Sequence, residues 1–467
     1  MTTSALPLPR TTSVRLPRVA RTALILFMWL LPFHALIIAL LFGYFGVNMD
    51  TVRTLAAWKE TAVVILVAWV ALRSLTGSGP RAQLMAPDIA VTALIGIAAV
   101  FALLEDPLFM ASIPGAAVLY GFRDSIFFML LYYVGRSTPE IAETDTILRH
   151  AYLIALVVSV IGILERIFVS PDMLVLLGVA AYMNDFLGLS AYTAGNDYGL
   201  PQNYFSILGG VWVRRSGSVF LHSQGFAVPF LFLMPAATAW VLNKRGKHPW
   251  LARVGYALIW GGLLVTLTRM TTIVCLVQVV IFYLIFRRPE WSLGAILTTI
   301  ALGVVAMVVV PNLLHFVWET LSWQSGSSTS HLKDWQRGLV AFFERPWGNG
   351  LGTTDAAPVK SYREPLSADN MYLTYAVQLG LAGIIAFVGV LLTILAVSWR
   401  LAWSNVSDVQ RRVAAVVALT TIGIIVNGAT SFVFSSNLLA YVFFWLAGAI
   451  VTVGQRQRSV ATAEFSS

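Results

Sequence analysis

Charged residues are few in this chain. Asp, Glu, Lys and Arg make up 11% of its 467 residues, where a soluble domain carries about a quarter. Hydrophobic residues reach 58%. That balance excludes an ordinary soluble enzyme and implies a polytopic membrane protein. Cysteine is almost absent: Cys275 alone, inside an apolar run, excludes a disulfide framework and any zinc site built on several thiolates. It reads as a small buried apolar residue. There is no Walker A sequence, no G-x-G-x-x-G after a strand and no H-E-x-x-H. The long loops have no Asp-x-Asp to hold a metal on a nucleotide-sugar, so neither a metal nor another cofactor is expected. Low-complexity tracts and internal repeats are missing. The formal charge of +9 does not imply a nucleic-acid partner, because the excess sits in short loops, where anionic lipid accounts for it.

What the chain has is long apolar runs. A span needs about 20 residues, and about twelve candidates appear, near 23–45, 57–75, 88–105, 116–135, 149–168, 219–242, 251–269, 271–287, 291–313, 370–398, 413–431 and 435–454. Basic clusters separate every second pair. They are Arg73 with Arg81, Arg136 with Arg149, Lys244, Arg245 with Lys247, Arg287 with Arg288, Arg400 with Arg411 and Arg412, and Arg456 with Arg458. All fall on the side of Arg10, Arg15, Arg18 and Arg21, so the positive-inside bias places both termini in the cytoplasm. The first run, Thr22 to Phe45, is too long for a cleaved signal peptide and reads as a retained helix. The expected fold is an all-α integral membrane bundle forming a single domain over 1–467.

Two long loops face the opposite, outer side, at about 169–218 and 314–368, and loops longer than about 15 residues usually carry function. In the first, Met173 to Met183 is apolar but too short to span, so it is interfacial or re-entrant. In the second, Asp334 to Phe343 has helical spacing, with Trp335, Leu339 and Phe342 on one side. Pro346-Trp-Gly-Asn-Gly-Leu-Gly then ends the helix in a tight turn.

The remaining polar residues gather on this outer side. Arg123 and Asp124 lie about 10 Å inside the fourth span at 1.5 Å per residue. They are either a mutual pair that fixes helix packing or part of a polar site. Arg214 and Arg215 precede the sixth span, in Arg-Arg-Ser-Gly-Ser-Val-Phe, where the positive-inside bias disfavours paired arginines. A binding role is favoured over an interfacial anchor, and Gly217 permits close backbone approach by a ligand. His222, one turn on, reads as a structural hydrogen-bonding residue. Arg269, in a tight hairpin, either caps helix carbonyls or points into an anion site. His331, Lys333, Asp334 and Arg337 open the loop helix. They form either a solvated face or a contact, His331 acting as base or as phosphate ligand. Asp369 and Asn370 start the tenth span, where a helix cap and a general base are compatible roles for Asp369. Arginine's planar fork suits phosphate oxygens.

These segments together resemble the O-antigen ligase and polysaccharide polymerase superfamily of bacterial envelope glycosyltransferases. The carriers are Arg214/Arg215-Ser-Gly-Ser-Val-Phe, Arg269 between two helices, Trp335 with Pro346-Trp-Gly-Asn-Gly-Leu-Gly, and Asn370 followed, after nine intervening residues, by Gly380 and then Gly383. The family's His-Asn is Asp369-Asn370 here. The resemblance implies a GT-C-type bundle in the bacterial inner membrane with its site facing the periplasm. It implies metal-independent, inverting transfer of a glycan from undecaprenyl diphosphate to the lipid A-core oligosaccharide. Arg123, Arg214, Arg215, Arg269, Arg337 and Asn370 would bind diphosphate or glycan. Asp369, or else His331, would be the base. A polymerase of the same superfamily and a polysaccharide-lipid flippase are the alternatives.

Overall fold

A computed structural model describes residues 18–76, 83–103, 113, 115–188, 200, 204–208, 211–243, 249–287, 293–294, 318, 322, 326–354 and 370–466. Among them, eight helices are long and apolar enough to cross a membrane, or nine if one bent pair is a single span. The chain is a mostly helical, multi-pass membrane protein. Of the expected span at 291–313 only 293–294 are described, and Asp369, the turn-rich segment at 193–199 and the Lys244 cluster lie outside the described residues.

The elements in order are α1 (Arg18–Ala39), α2 (Met49–Ala56), α3 (Trp58–Leu75), α4 (Ala86–Leu103), α5 (Gly115–Ser125), α6 (Leu131–Ser137), α7 (Thr146–Phe168) and α8 (Pro171–Leu176). A hairpin, β1 (Phe205–Leu208) with β2 (Val211–Arg214), precedes α9 (Phe230–Asn243), α10 (Pro249–Leu264), α11 (Arg269–Ile285), α12 (Gly326–Glu344), α13 (Met371–Ala402), α14 (Asp408–Asn427) and α15 (Asn437–Ser466). The hairpin departs from the all-α expectation. It pairs Phe205 with Arg214 in antiparallel register, and the Arg215 amide extends it by donating to the Tyr204 carbonyl at 2.8 Å. The short apolar stretch after α7 folds as α8 and further single turns, so it does not span.

α15 is the buried axis of the bundle, with Phe443, Phe444 and Trp445 almost fully enclosed. α6 approaches it through Gly135 and Gly448, where a Cβ would overlap the Trp445 and Tyr132 carbonyls. Small residues allow such close backbone contact between membrane helices.

The arginine-cluster side is tied together by ion pairs. Arg136 donates to Asp88 at 2.9 Å, to Thr452 at 2.8 Å and to Gln455 at 3.1 Å. Arg412 meets Asp145 at 2.8 Å, and Arg456 meets Glu143 at 3.3 Å. The turns that carry Arg136, Arg412 and Arg456 thus lie on one face. Arg136 and Arg412 serve there as buried structural cations rather than as lipid contacts.

α5 and the Phe127–Ser137 segment are bent by 47°, which places Arg123 and Asp124 at the end of a half-helix. At the break, the Tyr375 hydroxyl donates to the Ser125 carbonyl at 2.6 Å. A broken helix at membrane depth is tolerated where it lines a polar cavity.

Candidate functional site

The half of the bundle away from the arginine clusters encloses a cavity of about 530 Å³ between α1, α3, α5, the 182–187 turn and the start of α13 and α15. Its polar wall is Lys59, Glu60, Arg123 and Asp124, with His34 and His222 nearby. Lys59 Nζ lies 3.0 Å from Glu60, and Arg123 lies 3.8 Å from Glu60. Arg123 grips Asp124 through two nitrogens, at 2.7 and 3.1 Å. Its guanidinium also stacks over Tyr120, 4.7 Å from the ring centroid. His34 accepts from Trp58 Nε1 at 3.1 Å, so Trp58 braces the cavity wall as well as marking the interface.

Arg215 lies outside the lining of this cavity, which includes the neighbouring His222. The turn that carries Arg215 is built on Glu165, in the last turn of α7. One Glu165 oxygen takes Arg214 at 2.8 Å. The other accepts from the Ser216 hydroxyl, the Gly217 amide at 3.1 Å and the Ser218 amide at 2.9 Å. Arg214 also donates to the carbonyls of Glu165 and Arg166, which leaves it buried as the anchor of the turn. Gly217 meets protein: a Cβ there would stand 2.5 Å from the His222 amide nitrogen. The close approach expected of a ligand is made instead by the chain folding back on His222.

With Arg214 fixed, Arg215 points the other way. It donates to the Thr266 carbonyl at 2.9 Å and the Thr268 hydroxyl at 3.0 Å, on the turn that leads directly into Arg269. Burial, and then the charge of Arg269, push the Arg215 guanidinium down to about 10. It stays cationic at neutral pH, and a like charge nearby favours an anion beside it. His222, which lines the cavity, is close enough to feel the Arg215 charge. Its Nδ1 accepts from the Gly225 amide at 3.0 Å, which leaves the proton of the neutral ring on Nε2.

Asn370 caps α13. Its side chain accepts from the Tyr372 and Leu373 amides at 2.9 and 3.1 Å and donates to the Ala429 carbonyl at 3.0 Å. One turn further on, Thr374 lines the cavity. α12 packs on the same turn through Gly338, whose added Cβ would lie 3.2 Å from Leu373. His331 and Arg337 are carried on α12 and are not among the residues that line the cavity. Arg337 is largely exposed, 4.0 Å from Asp334. Trp335 and Phe342 are half-buried, whereas Leu332, Leu339, Val340 and Phe343 are exposed. Of the expected arginines, Arg123 lines the cavity, while Arg215 lies outside its lining, on the turn that leads into Arg269. The structure holds Arg214 and Asn370 in structural contacts and sets His331 and Arg337 on a neighbouring helix.

The glycine turn after α12 threads into the bundle. Gly380 (φ 64, ψ −161) interrupts α13 and frees carbonyls that the turn uses. Asn349 donates to Val377 at 2.8 Å, Gly350 to Gln378 at 3.0 Å, and Leu381 returns a bond to Pro346 at 2.7 Å. The Gln378 side chain accepts from the Gly352 amide at 2.9 Å and donates to Thr354 at 2.7 Å. Gly352 meets α5 at Gly121 and Ala117, with room for no Cβ on either glycine. The spaced glycines thus hold α13 against the half-helix that bears Arg123.

His34, Lys59, Glu60 and Glu165 are absent from the sequence-based candidates. Lys59-Glu60 opens α3 and Glu165 closes α7. Acidic residues at helix ends were the available signal. Among the described residues, no three His, Cys, Asp or Glu side chains gather to hold a metal ion.

Glu165→Gln removes the charge that Arg214 and the 216–218 turn share. Breaking a buried ion pair costs about 3–5 kcal/mol. The expected result is a lower thermal unfolding midpoint in detergent. An unchanged midpoint would show that the turn holds itself.

The fold and site define a multi-pass membrane protein with a charged cavity open on one half of the bundle. Residues 254–388 match the family described as O-antigen ligase. That stretch contains Arg269, α12, the glycine turn, Asn370, Gly380 and Gly383, and the match supports the O-antigen ligase and polymerase superfamily, as the motifs led us to expect. Among curated proteins none gives a significant match.

Proposed function

We propose that this protein is an inverting, metal-independent glycosyltransferase of the O-antigen ligase type in the bacterial inner membrane, with its site facing the periplasm. Its donor is a glycan on undecaprenyl diphosphate, held in the outer leaflet. Its acceptor is a sugar hydroxyl of the lipid A-core oligosaccharide. The observation that carries this reading is Arg215, held on the 266–268 turn that leads into Arg269 and within reach of the Arg269 charge.

In the reaction, the acceptor oxygen bonds to the anomeric carbon while the bond from that carbon to the diphosphate oxygen breaks. Negative charge grows on the diphosphate as the ring becomes oxocarbenium-like. Arg215 and Arg269 receive that charge, with Arg214 holding their turn. Arg123, compensated by Asp124 and Glu60, stands at the sugar end. The acceptor's proton goes to Asp369, immediately before the cap of α13, or to His331 on α12. A placed base contributes about 10²–10⁴ in rate. Arg337 reaches glycan or headgroup beside α12, and the exposed apolar side chains of that helix fit the lipid tail of the donor. Asn370 keeps the neighbouring base in position.

Asp369 in place of the family's His favours, as second reading, a polymerase that lengthens the lipid-linked chain. A flippase would use a site near mid-membrane between paired half-structures, whereas here the charges gather in one half. The test is the product formed by purified protein in detergent from undecaprenyl-diphosphate glycan and lipid A-core. Glycan on the core is expected. A longer glycan on the carrier would make it a polymerase, and no transfer to either acceptor would end the enzymatic reading.

A further inference from the structure

The phosphate contacts proposed above leave most of the cavity, and its four charged groups, without a task. We propose that Lys59, Glu60, Arg123 and Asp124 form a hydroxyl-recognising subsite for an uncharged sugar ring, separate from the anion contacts at Arg215 and Arg269. The inference rests on the glycosyl-transfer reading and assigns the part of the substrate that fills this space.

The charges of the quartet cancel. Lys59 is matched by Glu60 at 3.0 Å and Arg123 by Asp124 at 2.7 Å. An anion entering here would meet two carboxylates at once, so the wall is ill-suited to phosphate. A sugar hydroxyl suits it better, since each hydroxyl both donates to a carboxylate and accepts from an ammonium or guanidinium. Glu60 places an acceptor in the wall: its Oε1 faces Lys59 and Arg123, and its side chain lines the cavity. Lys59 adds a charged amine that is itself only 10% exposed, so the wall is preformed. Phe128 and Tyr441 supply apolar surface opposite, which fits the C–H face of a ring. The volume of about 530 Å³ lies within the range of about 300–1,000 Å³ that encloses small ligands.

The experiment is saturation-transfer NMR on the full chain in nanodiscs, using a panel of methyl glycosides as probes, with pyrophosphate binding measured in parallel. Two variants report on the subsite. Glu60→Gln removes the acceptor charge. Ala35→Phe fills the cavity from α1 and leaves every charge in place. Arg215→Ala reports on the anion contacts. At least one glycoside is expected to bind the unaltered protein and to lose about tenfold or more in affinity in both subsite variants, the scale of one hydrogen bond to a charged group. Pyrophosphate binding should persist in those two and fall in Arg215→Ala. Glycoside binding that is absent, or unchanged by both variants, would overturn the subsite. So would pyrophosphate binding that depends on Glu60. Pyrophosphate binding that ignores Arg215 would instead sink the catalytic assignment and leave the sugar subsite standing.

Discussion

Arg215→Ala is expected to lower glycan transfer by about 10²–10³-fold, the usual loss when one preorganised contact to developing negative charge is removed, with the amount of protein in the membrane unchanged. The guanidinium is fixed by the Thr266 carbonyl and the Thr268 hydroxyl before any substrate arrives, so little reorganisation remains for the transition state. Lysine at this position keeps the charge but cannot make both contacts with a planar fork, so Arg215→Lys should recover only part of the rate. The neighbouring Arg214 supplies the contrast. Arg214→Ala strands the Glu165 carboxylate among the 216–218 amides and should appear first as loss of folded protein. Single-turnover transfer from a lipid-linked glycan in nanodiscs, alongside membrane protein levels, measures both. Arg215→Ala at full rate would remove this residue from the site.

Gly380→Ala is expected to abolish activity and much of the folded population, whereas Gly389→Ala in the same helix should be silent. Gly380 holds a conformation open essentially to glycine alone. Its added Cβ would overlap the backbone of Pro346 and Trp347. Either the helix straightens and takes back the Val377 and Gln378 carbonyls, or the glycine turn leaves the bundle. Both outcomes detach α12 and release α13 from the half-helix that bears Arg123. At Gly389 a Cβ would make ordinary contact with Ala90, 3.8 Å away, and alanine is the better helix former by about 1 kcal/mol. Protease sensitivity of the 345–354 turn, read together with transfer, separates the two variants. Equal behaviour would mean that the interruption in α13 does not hold the turn.

The sequence carried the class of protein and placed the turns at Arg136, Arg412 and Arg456 on one side. Asp88, Arg136, Asp145, Arg412 and Arg456 meet on the face the arginine clusters named. It also carried the end of α12 and the tight turn after it, because Pro346 and the spaced glycines act locally. It did not carry the bend after Ser125. Ile126 and Phe127 offer no breaker, and the Ser125 carbonyl is claimed by Tyr375 from a helix 250 positions away. Glu165 was passed over for a related reason. As one acidic residue at a helix end it looks solvated, and only the fold wraps the 214–218 turn around it.

Hydropathy and the count of basic residues per loop act through the surrounding membrane, which reads each segment on its own. The sequence therefore determined by itself that this chain spans a bilayer repeatedly and gathers its remaining charges on one side. Which of those charges touch was decided by tertiary packing. Depth in a membrane follows from position along a helix, but the direction in which a side chain faces follows from neighbouring helices. Lys59 and Glu60, Arg123 and Asp124, and Arg215 with Arg269 lie far apart along the chain. The meeting of the first four around one cavity, and of Arg215 with the turn before Arg269, depends on close-packed glycines, a broken α5 and an interrupted α13.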